Sequence, residues 1–528
     1  MIFPDKMADA LYRHDERVFQ QVFFGERVNA RDYWEHTRKF TPWINDHPSF
    51  RCTKIDKLIP ISLYGDEVQS FRNTEGGVVS VLAWCSDFSA GLPALSRYLA
   101  ICVVPDHYTT SRTFLDIWKL LAPRITRMCS DQVRHVWTSG GYQFTYSSTQ
   151  GDLKWILEKF GFHNFRANNM CSWCECCKQH PDPGMTLGNF KEDAAHRQTR
   201  ISHDEFFTKL GVAPAAFHPL FEIPGCRLER FLHDVCHSQL LGTGKVCNGS
   251  VLTYLAELGY FNGWNFGQYP VSMGQALRVA YCRFNEWKKQ KGILVSQPRF
   301  TASRLHRINR TSYPSLSSKA AAGKAITFWL AECGVQYASR DGATELDKHV
   351  ANCIWTYSEV LRLLDDSWYT RVIPLNCSFM LPFSFLTYVT LYYVGFKLCL
   401  LHFGTTMSKE LPVLLSEEQA NNFYKMGMNH LEVYAYLNAL SASQANARGH
   451  GVINKALWML LPKHHHFMHM LEDAKSSRIN PAWYTLLCAE SFIGHMGRLA
   501  RTCHRASLHV RSLQRYKLMI ALHFFKLR

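Results

Sequence analysis

The chain has 528 residues, 47% hydrophobic and 13% aromatic, with a formal charge of +16. That length and apolar supply exclude a mini-protein and wholesale disorder, and predict about two to four structural units. The basic excess, carried on a charged fraction of only 19%, points to a polyanionic partner, nucleic acid first and a membrane surface second.

Residues 1–50 mix aromatic and charged positions at irregular spacing and predict short helices. Leu58 to Tyr64 predicts a strand ending at Gly65-Asp66-Glu67, Gly76-Gly77 a turn, and Val78 to Trp84 a second strand. Tyr98 to Val104 is a third β-branched run, so an antiparallel meander is expected. A helix follows over 111–129, its apolar face drawn by Phe114, Ile117, Leu120, Leu121, Ile125 and Met128. Tyr142, Phe144 and Tyr146 alternate as a short fourth strand, and a helix starts at Leu153, just after Asp152. From Pro181 to Asn480 helical patterns dominate, as at 251–258, 320–332, 349–364 and 417–447. Asn480-Pro481 opens the last clear helix, with Leu486, Leu487, Ile493 and Met496 on its apolar face and Glu490 in its second or third turn.

Eighteen cysteines would suit a disulfide framework in a secreted chain. The opening Met1-Ile2-Phe3-Pro4-Asp5-Lys6 lacks the apolar core of a signal peptide, so thiols in a reducing compartment are expected. Residues 379–403 are almost wholly apolar and long enough to span a bilayer, and the wider 375–405 segment matches nothing on either side. Pro382 and Lys397 interrupt it and weigh against a transmembrane helix. The chain carries no phosphate-binding glycine loop, GxSxG elbow or HExxH helix.

The β-β-β-α-β order, with Asp66 after the first strand and Asp152 after the fourth, resembles the RNase H-like catalytic core of DDE/D transposases. The resemblance extends to the eukaryotic CACTA/Plavaka-like mobile-element group. Asp234-Val235-Cys236-His237 resembles its D-x-x-H signature, followed by Leu241-Gly242 and Gly249-Ser250-Val251-Leu252. Pro462-Lys463-His464, then Asn480-Pro481, Glu490-Ser491-Phe492-Ile493-Gly494 and Arg498, complete an order of motifs similar to that group's. Ala489 departs from the pattern, standing where a further acid is expected, and 375–405 has no counterpart.

The resemblance implies an α/β fold: an RNase H-like mixed sheet flanked by helices and interrupted by a large, mainly α insertion. The expected parts are a helical lead-in (1–50), the first part of the core (51–180), the insertion (181–479) and a final core helix with a basic C-terminus (480–528). Asp66, Asp152 and Glu490 would hold two Mg²⁺ or Mn²⁺ ions for DNA strand cleavage and transfer, because hard carboxylate oxygens suit those ions. His237 joins them as a catalytic candidate, and Asp234, Lys463 and His464 as accessory residues. DNA is the implied partner and the nucleus the implied compartment; self-association is left open and no organic cofactor is called for.

Each assignment has a plainer counterpart. Asp66 also suits a turn, with Glu67 a substitute ligand, and Asp152 also suits a helix N-cap. Asp87, Asp106, Asp131 and Asp234 compete for the second acidic position, and the histidine run His464–His466, which could orient a phosphate or carboxylate, also suits an exposed polar turn. Cys171-x-x-Cys174 offers two thiolates at zinc-knuckle spacing. Cys176, Cys177 or His180 would supply a further Zn²⁺ ligand, with Cys236 or His237 completing the set from a distance; buried thiols near Trp173 are the alternative. Arg498, Arg501, Arg505, Arg511 and Arg515 would neutralise DNA phosphates or form a solvated helix face. Two rival functions remain: a non-catalytic DNA-binding relative, and a membrane-associated protein anchored by 379–403.

Overall fold

The computed structural model describes residues 1–528 except 26–27, 42–43, 46, 52–53, 70–76, 262–267, 365–412, 447–455 and 527–528. The expected segment 375–405, with its apolar run, lies outside the described residues except in sequence. Among the described residues no helix is long and apolar enough to cross a membrane. The chain divides into two compact units, one of Met1–Thr243, Val413–Tyr424 and Leu460–Arg528, the other of Gly244–Pro412 and Lys425–Met459. Residues 181–243, expected within the insertion, group with the sheet.

The first unit is mixed α/β. Helices α1 (Pro4–His14), α2 (Glu16–Phe24) and α3 (Ala30–Phe40) precede strands β1 (Leu58–Gln69), β2 (Val78–Ser86) and β3 (Leu99–Pro105). Helix α4 (Thr113–Met128), strand β4 (Gln143–Gly151), α5 (Leu153–Phe160) and α6 (His203–Leu210) follow. The sheet order is β3-β2-β1-β4. β1 and β2 pair antiparallel, as do β2 and β3, while β1 and β4 run parallel. The meander is therefore present, and β4 returns alongside β1. Two expected strand ends shift. β1 continues through Asp66 because β2 supplies partners as far as Gln69, and β4 extends to Gly151 because β1 does the same. Pro60 is tolerated in this central strand because β2 begins pairing only at Ile61.

Both sheet faces are covered. On one, Phe19 and Phe23 of α2 meet Trp84 and Phe144. On the other, Tyr64 and Tyr98 meet Phe492 of α13 (Leu487–Arg501) and Tyr516 of α14 (Leu508–Phe525). In α4, Trp118 takes the core position and Leu120 is exposed, so the apolar face is rotated from the one expected. Leu487 is likewise exposed, because Asn480-Pro481 opens a separate 3₁₀ turn (Pro481–Tyr484). α13 itself starts at Leu487, which puts Glu490 in its first turn.

The second unit is helical: α7 (Gly244–Glu257), α8 (Tyr269–Gln290), α9 (Ala320–Ala338), α10 (Glu345–Leu364) and the part of α11 (Glu417–Asn446) beyond Tyr424. Phe261, Phe284, Phe300 and Trp329 form one aromatic cluster. Arg307 is fully buried there. It donates to Tyr269, to Glu257 at 3.0 Å and to the carbonyls of Arg310, Ser312 and Ala456. The remaining helix, α12 (Pro462–Ser477), belongs to the first unit.

Candidate functional site: an acidic centre and a thiol–imidazole cluster

Parallel pairing sets Gly65 against Gly151, so the next residues, Asp66 within β1 and Asp152 just past the end of β4, stand at the same level. Glycine is required at both pairing positions. A Cβ on Gly151 would lie 2.7 Å from the Gly65 carbonyl oxygen, and one on Gly65 would lie 2.0 Å from the Trp155 ring. Alternation along β1 turns Tyr64 and Asp66 toward α13 and sends Glu67 to the opposite face. Glu67 is held there by Lys159 at 2.9 Å and by Ser80, so it does not substitute for Asp66.

A later segment brings the next residues. Phe231 bridges to Thr149 of β4, and the Leu232 N–H donates to the Thr149 carbonyl. The chain then presents Asp234 and enters a π-helix, Cys236–Thr243. Asp234 is buried and works in two directions. Its Oδ2 accepts from the backbone N–H of His237 and lies 2.8 Å from His237 Nδ1, while its Oδ1 accepts from the Leu486 N–H at the mouth of α13. His237 Nε2 in turn meets Glu490 Oε1 at 2.9 Å. Ligand atoms of Asp66, His237 and Glu490 all lie within 4.8 Å of one another.

The electrostatics follow from this packing. Burial pushes the Asp66 carboxyl up to about 6; Asp152 adds to the rise, against His237 and hydrogen bonds from the Glu67 N–H and the Tyr64 hydroxyl. For His237, burial opposes the charge. Hydrogen bonds to Asp234 and Glu490, with the charges of Asp234 and Asp152, outweigh it and hold the imidazolium up to about 11. Asp152 stands at the N-cap position of α5, but its side chain makes no capping bond, so the cap does not account for the carboxylate. Of the competing acids, Asp87 is buried against Ser62 and Ser147, Asp106 accepts from Val78 N–H, and Asp131 is exposed.

The expected cysteine site changes membership. Cys171 and Cys174 are joined by His465 and His469 of α12, all four buried, with ligand atoms mutually within 4.8 Å. Cys171 Sγ lies 3.4 Å from His469 Nε2, and Cys174 Sγ lies 3.2 Å from His465 Nε2. Tetrahedral bond lengths for sulfur and nitrogen ligands imply a separation of about 3.5 Å, so this set could hold a metal ion. Burial holds both imidazoles well below their usual pKa, hence neutral. The Nδ1 of His469 lies 3.4 Å from Glu472, itself fixed by Arg197 and Arg200, a carboxylate–histidine arrangement that orients a ligand.

The other expected thiol ligands go elsewhere. Cys177 bonds to Asn169 and the Glu175 carbonyl, and exposed His180 turns back to Asp182. Cys176 groups with His196 and His465, and Cys236 and His237 lie in groups with the acids. The histidine run forms a buried helix face, not an exposed turn. His464 bonds back to Leu461, and Lys463 lies against Gly242. Arg498, Arg501, Arg505, Arg511 and Arg515 are exposed along α13, α14 and the turn between them.

His465 and His469 are absent from the expected zinc set although a readable signal exists: four-residue spacing puts two side chains on one helix face. Tyr64 and Trp155, which support the acids, carry no comparable mark. No family model matches the chain, and no curated protein is significantly similar to it.

Proposed function

We propose that the chain is a transposase-like protein with an RNase H-like core, performing divalent-metal-dependent cleavage and transfer of DNA strands. The observation that carries this reading is the meeting of Asp66, Glu490 and His237 at the point where two parallel strands deliver Asp66 and Asp152. The donors fit hard divalent cations: carboxylate oxygens, one belonging to an acid whose pKa burial raises to about 6, so that a bound cation would favour its ionised form. Asp66, Asp152 and Glu490 would be the ligands. Bound Mg²⁺ or Mn²⁺ would supply Lewis-acid polarisation of the scissile phosphodiester and activation of water or a 3′-hydroxyl.

The chain's own groups do the positioning. Asp234 aims the His237 ring through Nδ1 and anchors the start of α13, so His237 and Glu490 keep a fixed relation to the sheet. The charged imidazole, with one N–H on Asp234 and the other on Glu490, offsets carboxylate repulsion before a cation arrives. The exposed arginines of α13 and α14 supply a phosphate-binding surface next to the helix that carries Glu490. We assign the Cys171–Cys174–His465–His469 set to structural Zn²⁺, tying the loop after α5 to α12.

The test is plasmid nicking by the purified chain with Mg²⁺ or Mn²⁺. Wild type should nick, and Asp66→Asn and Glu490→Gln should lose nicking while retaining DNA binding. Salt-dependent binding with no nicking by wild type would replace this reading with the non-catalytic relative.

A further inference from the structure

The helical unit gathers a second set of soft donors, separate from the acidic centre and from the Cys171 cluster. Cys247 comes from the first turn of α7, Cys353 from the middle of α10 and His430 from α11. All three are fully buried, and one ligand atom from each lies within 4.8 Å of the others. The Nδ1 of His430 lies 3.7 Å from Cys353 Sγ and donates to the Cys353 carbonyl oxygen at 2.9 Å, which fixes the ring and leaves the lone pair on Nε2. Tyr357 stacks on that ring at 4.8 Å, with Tyr434 on its flank at 5.9 Å.

We propose that Cys247, Cys353 and His430 form a second zinc site that pins three helices of this unit together. Two thiolates and a neutral imidazole are a soft donor set suited to Zn²⁺ and poorly suited to Mg²⁺ or Ca²⁺. The charges sum to zero once zinc is bound, which matters in an apolar core. Binding releases the two thiol protons to solvent. Three protein donors leave the fourth tetrahedral position to one small ligand from solvent. The donors come from sequence positions far apart, so no knuckle spacing announces the site.

The test is metal counting on the full chain purified in zinc, by inductively coupled plasma mass spectrometry. Two ions per chain are expected, falling to one in Cys353→Ser or His430→Gln and to one in Cys171→Ser/Cys174→Ser. The last variant, reconstituted with Co²⁺, should keep a thiolate-to-cobalt charge-transfer band, and adding His430→Gln should remove it. If Cys353→Ser and His430→Gln retain their helical circular dichroism and the wild-type zinc count, the proposal is overturned. So is it if the Cys171→Ser/Cys174→Ser chain binds no Co²⁺. A count of one that falls to zero in Cys353→Ser and in His430→Gln, but not in Cys171→Ser/Cys174→Ser, would instead remove the Cys171 assignment and leave this one standing.

Discussion

Gly65→Ala tests whether the close approach of β1, β4 and α5 sets the acidic centre. The added methyl would sit 2.0, 2.1 and 2.5 Å from Trp155 Cη2, Cζ2 and Cζ3. Ordinary contact begins near 3.4 Å, so the indole must retreat by roughly 1.5 Å, against a packing density that leaves no such gap. Trp155 is buried and rests edge-on against Phe160 at 5.6 Å. Overpacking of this kind costs about 1–3 kcal/mol, and a rigid indole puts it at the upper end, ~3 kcal/mol. Any movement of Trp155 drags the start of α5, and with it Asp152, away from Asp66. Urea unfolding followed by circular dichroism measures the stability term, and plasmid nicking measures the displacement. Trp155→Phe removes the three clashing atoms, so Gly65→Ala/Trp155→Phe should be more stable than the sum of the single variants by about 1–3 kcal/mol. A Gly65→Ala chain within ~0.5 kcal/mol of wild type, or strict additivity in the double variant, refutes the reasoning.

Other expectations come from buried charge. His237→Gln leaves Asp66, Asp234 and Glu490 without their imidazolium and should cost about 3 kcal/mol; Mg²⁺ should then raise the melting temperature of the variant more than that of wild type in scanning fluorimetry. Because His237 is held up to about 11, its contribution is complete below about pH 6.5 and fades as pH rises toward 11, so alkaline destabilisation should be weaker in the variant. His218 behaves oppositely: burial pushes it down to about 4, and its ring packs on Phe160. Its neutral form is the folded one, so ~3 kcal/mol should be lost as pH falls from about 6.5 to 4, and urea titrations of His218→Asn should lack that part of the acid loss. Arg307→Lys keeps a charge but cannot serve Glu257, Tyr269 and three carbonyls together. A loss of at least ~3 kcal/mol is expected by urea unfolding.

The strands were legible because β-branched runs bounded by Gly-Asp and Gly-Gly follow a local rule, and the acids were legible because they stand next to those glycines. What stayed hidden depends on contacts distant in sequence. The strand is expected to end at Gly65-Asp66-Glu67 because the β2 partners that extend it to Gln69 are not visible from β1 alone. Leu120 and Leu487 looked like core residues because hydrophobicity says nothing about which side of a helix the sheet lies on. The Cys171 site was half legible. The knuckle is a local motif, but its imidazole partners lie nearly three hundred residues later, and only their four-residue spacing marks them.

The first unit is assembled from three separated stretches of chain, and that order of assembly has a consequence during synthesis. Asp66 and Asp152 emerge early, and the strands that hold them can pair at once. Glu490 follows roughly 340 residues after Asp152, about 20–70 s at ~5–20 residues per second. For that interval the nascent chain carries a sheet with two acids and no third, and a thiol knuckle whose histidines are still unmade. Under the proposed function, a chain stalled or truncated before α13 would lack the third acid of the cation site. The arrangement makes synthesis of α13 the last step in building the centre.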